Sequence, residues 1–393
     1  MNRQERVSSL AQELFDLYEQ HKFPHISSRR FNPAQLEEWL NALASRGGFA
    51  LSPVGSSAEG RSVSLLTVGN GTPAAFLWSQ MHGDEPTATM ALLDILHFIA
   101  REPSHPIVSA VTSQLKILIL PMLNPDGAER FTRRTAQKID MNRDALTLRT
   151  PEGRLLKSLR EQYNPEFGFN LHDQDPRFSV GTTRNVAAIS LLAPAIDPER
   201  NDNNVRARAK LVASLFAEAM QGFIPNNLTR YDETFEPRAF GDNIQKWGTS
   251  TVLVESGGWP NDPEKMYLRK LNFVGLLISL HGIATGNYTK ANPRLYEQLP
   301  LNEERFFDLI VRNVSLICGP RVSPIVVDVG INFDDKPDPS LKERDIPAKV
   351  MDIGDLSTFG AFEEIDGSGC QIHSSHLVLE ENRPKGDLLA LFE

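Results

Sequence analysis

Val7, Leu10, Leu14, Leu17 and Tyr18 recur at helical spacing near the start of the chain, which predicts an amphipathic helix over about 5–21 lying on a core. A second helix is expected over about 33–46, opened by Asn32-Pro33. From about residue 62 the pattern changes. Short apolar, β-rich runs now alternate with helical periodicity, the signature of βαβ units and a mostly parallel sheet. Four runs stand out: 74–80 (AAFLWSQ), 115–120 (LKILIL), 167–171 (FGFNL) and 251–254 (TVLV). Helices are predicted over about 86–101, 151–162, 203–222 and 262–284. The expected fold class is therefore α/β, a mixed, mostly parallel central sheet flanked by helices.

Around 285–300 the pattern shifts again, into short alternating strands (FFDLIVRNVSLI, SPIVVDVGI) separated by Gly, Asp and Pro turns. Three parts are expected: a helical lead-in over 1–50, an α/β domain over 51–290, and a small β-rich domain over 300–393. The pieces FDLIVRNVSLI, VDVGI and IDGSG resemble the small β-domain of amidohydrolases. The catalytic barrel of that family has no counterpart here, so this segment reads as a packing or assembly module.

Length and composition narrow the partners. A chain of 393 residues suggests about two domains, and 40% hydrophobic residues suffice for a sizeable core. The net charge of −9 argues against nucleic acid or an anionic membrane, both of which attract basic surfaces. Two cysteines, Cys318 and Cys370, make neither a zinc ribbon nor a disulfide framework. No apolar run reaches membrane-spanning length and the N-terminus has no apolar leader core, so a cytoplasmic protein is expected.

The chemistry lies at the ends of the four apolar runs. His82-Gly83-Asp84-Glu85 follows the first; a His with a Glu three residues on can hold one zinc ion from a tight turn, which Gly83 permits. His172 ends the third run, in Phe169-Asn170-Leu171-His172-Asp173. Glu255 ends the fourth and is followed by Ser256-Gly257-Gly258, small residues that leave room for a ligand. A base beside a metal-bound water belongs at this edge of an α/β sheet, where ligands bind. Beyond the second run lie Asn124-Pro125-Asp126-Gly127, Arg133-Arg134 and Asp140-Met141-Asn142-Arg143. A rigid guanidinium suits bidentate capture of a carboxylate, and Arg143 with Asn142 offers such a clamp.

In this order the motifs resemble the zinc carboxypeptidase family, peptidase family M14, over about residues 50–285. The resemblance implies one Zn2+ per chain, with His82, Glu85 and His172 as ligands and Asp140 holding the first histidine. It implies that Glu255 is the general base and that Asn142 and Arg143 grip the substrate's terminal carboxylate. Arg133 is the arginine expected to polarise the scissile carbonyl, with Arg134 as the alternative. The family's mobile capping tyrosine should fall within 234–240, where there is none; Tyr231 is the nearest. Side-chain preference maps to 241–244 (GDNI), where Asp242 and Asn243 point to a polar or basic substrate group. The implied activity is hydrolysis of a C-terminal peptide or amide bond beside a free carboxylate. Two other readings stand beside it: a deacylase of N-acyl amino acids, like aspartoacylase and succinylglutamate desuccinylase, and a non-catalytic binder of peptide ends.

Overall fold

A computed structural model describes residues 3–333, 348–376, 378–380 and 383–387; the rest of the 300–393 segment lies outside the described residues. The chain divides into two compact units. The first comprises Met1–Gln174, Ala188–Gly257 and Asn261–Leu301. The second comprises Asp175–Ala187, Gly258–Pro260 and Asn302–Glu393.

The lead-in forms α1 (Arg3–His21) and α2 (Pro33–Gly47). Asn32 starts α2 with a reciprocal capping box, its side chain accepting from Gln35 N at 2.9 Å while Gln35 Oε1 accepts from Asn32 N at 3.0 Å. Next come β1 (Ala50–Ser56), β2 (Ser62–Val68), β3 (Ala74–Trp78), α3 (Thr87–Arg101), α4 (Pro106–Gln114), β4 (Lys116–Leu120), α5 (Pro125–Glu129) and α6 (Pro151–Tyr163). They are followed by β5 (Phe167–Asp173), β6 (Ser179–Val180), β7 (Ile189–Leu192), α7 (Asn204–Met220), β8 (Leu228–Arg230), α8 (Phe240–Lys246), β9 (Ser250–Ser256) and α9 (Met266–Ala284).

Eight strands form one sheet in the order β1-β2-β4-β3-β5-β9-β7-β8. The central run β4-β3-β5-β9 is parallel, while β1-β2, β2-β4 and β9-β7 pair antiparallel. Central strands are buried on both faces, which is why 74–78, 116–120 and 250–256 read as continuous apolar runs rather than as alternation. One face packs Phe76, Trp78, Leu118 and Leu120 against Met141, Leu156, Phe240 and Ile244. Elsewhere in this unit α9 packs against α1, α3 and α7.

α9 begins at Met266, four residues past its predicted start, with Lys265 as its N-cap residue; the Asp262 carboxylate, outside the helix, accepts from Met266 N at 2.7 Å and Tyr267 N at 2.9 Å in the first turn. No helix among the described residues is long and apolar enough to cross a membrane.

The second unit is β-rich. β10 (Asn302–Glu303) pairs with β6, and β11 (Phe306–Ile317), β12 (Ile325–Phe333), β13 (Ala348–Gly354), β14 (Gly360–Asp366), β15 (Gln371–His373), β16 (Val378–Glu380) and β17 (Arg383–Asp387) form a sheet centred on β11 and β12. Val311, Val314, Val329, Ile331, Val350 and Ile372 make its core. Within this unit Arg177 reaches Asp308 at 2.7 Å, so the segment after β5 is tied to β11 by charge.

Candidate metal centre

The carboxyl ends of β3, β5 and β9 lie side by side, and parallel pairing places His172 directly across from Glu255. β3 stops at Trp78, and the chain turns through Gln80, at φ 44°, into the His82–Glu85 corner. That corner leans on the start of α5 so closely that a Cβ on Gly83 would stand 2.0 Å from the Gly127 carbonyl carbon. Only glycine fits there. Asn124 sustains the other side of this contact, its Oδ1 accepting from Gly127 N at 2.9 Å to cap α5. The Asn-Pro-Asp-Gly turn thus shapes the wall of the site, and its Asp126 bonds Ser57 and Arg61 on the far side.

The corner delivers His82 and Glu85 to His172. Glu85 Oε1 lies 2.7 Å from His82 Nδ1, and Glu85 Oε2 lies 2.7 Å from His172 Nδ1. All three residues are buried, and their ligand atoms fall within 4.8 Å of one another. His82 Nε2 faces Asp140 Oδ1 at 3.1 Å, which orients the ring and leaves Nδ1 turned to the cluster. Two imidazole nitrogens and one carboxylate are the donor set of a hydrolytic zinc site. His172 Nε2 and Glu255 Oε2 are also buried without a hydrogen-bond partner. The residues present therefore fit the ion.

The electrostatics follow from this crowding. Burial works against charge on His82, but Glu85 and Asp140 outweigh it and carry the imidazole up to about 9. Burial lowers His172. Burial alone would raise Glu85, yet His82 and His172 hold it well below the usual carboxylate range. Asp140 is likewise held low against its burial, by His82 and then Arg133. Glu255 goes the other way: burial, reinforced by repulsion from Glu85, pushes it well above the ordinary value. A carboxylate with raised proton affinity is suited to general-base work.

The two neighbouring arginines part company. Arg133 donates to Glu85 Oε1 at 3.0 Å and to Asp140 Oδ2 through Nε and Nη2, at 3.2 and 3.0 Å. Arg134 turns away and donates to the Lys138 carbonyl at 2.9 Å. Asn142 spends its Oδ1 on Phe240 N at 2.9 Å, fixing the start of α8 beside the clamp. Arg143 stands half-exposed, with Glu236 at 3.5 Å. Tyr231 is lifted to about 12 by burial and by the Glu255 charge, with Arg133 opposing, so its phenol shares the field of the site.

Asp242 is buried in the first turn of α8, its carboxylate held by backbone N–H groups, including that of Glu236 at 3.2 Å. Burial pushes it up to about 7. Native Asp242 therefore keeps a proton that the unfolded chain releases near its ordinary value. The resulting penalty is absent at low pH, grows between about pH 4 and 7, and is fully present above that window. Asp242→Asn is expected to raise the unfolding free energy from urea denaturation at pH 8, by at most about 4 kcal/mol, and to leave it unchanged near pH 4. An equal shift at both pH values would contradict this account.

Sequence reasoning passed over three residues here. Asn170, on the same face of β5 as His172, is fully buried with neither amide atom hydrogen-bonded, and its Nδ2 lies 3.2 Å from where a Gly241 Cβ would stand. Asp173 and Lys265 form a buried pair behind the metal ligands. The first two stand inside the FNLHD motif, where alternation along the strand marks Asn170 as a neighbour of His172.

Residues 36–177 match the family model described as zinc carboxypeptidase. Over that stretch, rather more than a third of its length, the chain is similar to the zinc carboxypeptidases. The matched stretch holds His82, Glu85, Asp140, Asn142, Arg143 and His172, and ends before Glu255. Among curated proteins that the chain resembles, Probable carboxypeptidase 2 of Trichophyton verrucosum (strain HKI 0517) is 29% identical over 148 residues, 37% of this chain and 27% of that protein. Carboxypeptidase SOL1 of Arabidopsis thaliana is 33% identical over 73 residues, 18% of this chain and 15% of that one. The chain spans about a quarter or less of the length of these two relatives.

Two solved structures share the fold. A metallo-carboxypeptidase from Burkholderia cenocepacia superimposes with a TM-score of 0.52 at 17% identity, covering 65% of this chain and 69% of its own. Bovine thrombin-activatable fibrinolysis inhibitor does so with a TM-score of 0.54 at 15% identity, covering 66% of this chain and 98% of its own.

Proposed function

We propose that this protein is a zinc metallocarboxypeptidase that hydrolyses the amide bond next to a free carboxylate. The observation that carries the reading is the convergence of His82, Glu85 and His172, with Glu255 in register beside His172. When bound, zinc supplies Lewis acidity toward the scissile carbonyl and toward water. His82, Glu85 and His172 hold it, and Asp140 keeps His82 in the required orientation. Glu255 removes a proton from the attacking water and returns it to the leaving amine, a task its raised proton affinity favours. Arg133 donates to the carbonyl oxygen as negative charge builds there. Arg143 and Asn142 take the free carboxylate, which confines cleavage to the end of a chain.

Asp242 and Asn170 support a preference for a substrate side chain ending in an ammonium or guanidinium group. A buried carboxylate held by backbone N–H groups and the buried, unpartnered Oδ1 of Asn170 can both accept from such a donor.

The test is a panel of blocked dipeptides ending in Lys, Arg, Leu or Glu, their C-terminal amides, and N-acyl amino acids. Dipeptides ending in Lys or Arg are expected to be cleaved fastest, with amidation costing at least about 100-fold in kcat/KM, the weight of a lost charged contact. Turnover confined to N-acyl amino acids would make the protein a deacylase instead. Turnover of amidated and free peptides alike would remove the carboxylate clamp.

A further inference from the structure

We propose that Lys265 is a positioning residue for the hydrolytic centre, its buried ammonium pinning the strand ends that carry His172 and Glu255 in one register. The inference rests on the reading of His82, Glu85 and His172 as metal ligands. Lys265 lies just before α9, 6% exposed, with φ at 55° in the left-handed region. A lysine is an unfavourable choice for both conditions: its backbone is strained and its charge has lost water. Such a combination persists only where the surroundings need it.

The surroundings are the site itself. Lys265 Nζ donates to the Ser256 carbonyl at 3.1 Å and stands 3.4 Å from Asp173 Oδ2. Ser256 follows Glu255, Asp173 follows His172, and the two are register partners one step beyond the pair that carries the chemistry. The same Asp173 oxygen accepts from Thr87 Oγ1 at 2.6 Å, at the start of α3 just after Glu85. The Asp173 backbone N–H reaches Glu85 Oε2 at 3.2 Å. One ammonium thereby joins three segments, those bearing Glu85, His172 and Glu255. α9 reinforces the arrangement through Asn272 Nδ2, which donates to Ser256 Oγ at 2.9 Å.

A lysine that merely neutralised Asp173 would be dispensable once that charge was removed. A lysine that positions the strand ends would not, because the Ser256 carbonyl would still lose its donor. The discriminating variant is therefore the double substitution Lys265→Met/Asp173→Asn, which folds without leaving a buried carboxylate unpaired, measured beside Lys265→Met, Lys265→Arg and the parent. Zinc affinity is read by competition with a chelator, kcat and KM on the preferred blocked dipeptide, and thermal midpoint by calorimetry.

In the double variant, zinc affinity is expected to fall at least about 10-fold and kcat about 10- to 100-fold, the range seen when groups behind metal ligands are changed. KM should stay within about 2-fold and Lys265→Arg should lie closer to the parent, as expected when positioning rather than substrate binding is lost. A double variant whose zinc affinity stays within about 2-fold of the parent overturns the proposal, whatever happens to kcat. Zinc affinity is readable even if no substrate is turned over, so unchanged affinity there sinks this inference, while weakened affinity sustains it whatever becomes of the activity.

Discussion

Glu255→Gln is expected to bind zinc as the parent does and to lose kcat by about 100- to 10,000-fold, the contribution of a positioned general base. The substitution is nearly isosteric and removes only the ability to take a proton. Glu255 ends β9, which is buried along its whole length and in full register with β5, so the amide has no room to reorganise the strand. Its Oε2 makes no hydrogen bond, so exchanging it for an amide breaks none there. KM should change little, because the carboxylate clamp at Asn142 and Arg143 lies on another segment. Activity within 10-fold of the parent would take Glu255 out of the reaction, and loss of zinc together with activity would make it a structural or ligating group instead.

The second large effect concerns stability. Asp94→Ala is expected to cost about 3–5 kcal/mol, the penalty for stranding one partner of a buried ion pair. Asp94 and Arg269 are both about fully buried and meet twice, Nη2 to Oδ1 at 2.5 Å and Nε to Oδ2 at 2.7 Å. Around them Asp94 accepts from Phe23 N at 2.7 Å and Tyr18 Oη at 3.0 Å, while Arg269 Nη2 donates to the Phe23 carbonyl at 3.0 Å. The pair thus fastens the lead-in segment to α3 and α9. Replacing both partners, as Asp94→Leu/Arg269→Met, should recover part of the loss, because two apolar side chains leave no charge behind, though Phe23 N, Tyr18 Oη and the Phe23 and Ile26 carbonyls lose their partners. Urea denaturation of the single and double variants measures this. A cost below about 1 kcal/mol for Asp94→Ala would show the pair to be incidental.

Both effects fall on features of unequal legibility. The strand-ending positions of His82, His172 and Glu255 could be read because each follows an apolar run buried on both faces, a pattern strong enough to place the ends within a residue or two. The Asn142–Arg143 pair stood out only through its likeness to a family motif, since it lies in an irregular stretch well beyond β4. The strands β7 and β8 escaped because four and three residues carry too little periodicity to separate them from a loop.

Arg133 and Arg134 could not be ranked from spacing, since adjacent residues in an irregular segment point where local hydrogen bonds send them. Here Arg134 is drawn to Lys138 and Arg133 to the ligand cluster. Lys265 was still less accessible. Its role depends on an ion pair with a residue far away in the chain and on a left-handed backbone angle, neither of which periodicity reports. Asp242 was legible as a polar residue in the right stretch, but its burial follows from how α8 packs on Asn142.

The central claim is that two histidines and one glutamate make a zinc site, and elemental analysis of purified protein tests it most directly. One zinc per chain is expected in the parent, falling to trace levels in His172→Ala and in Glu85→Ala while Glu255→Gln stays fully loaded. A parent that binds no stoichiometric metal, or a His172→Ala variant that holds as much zinc as the parent, would contradict the account.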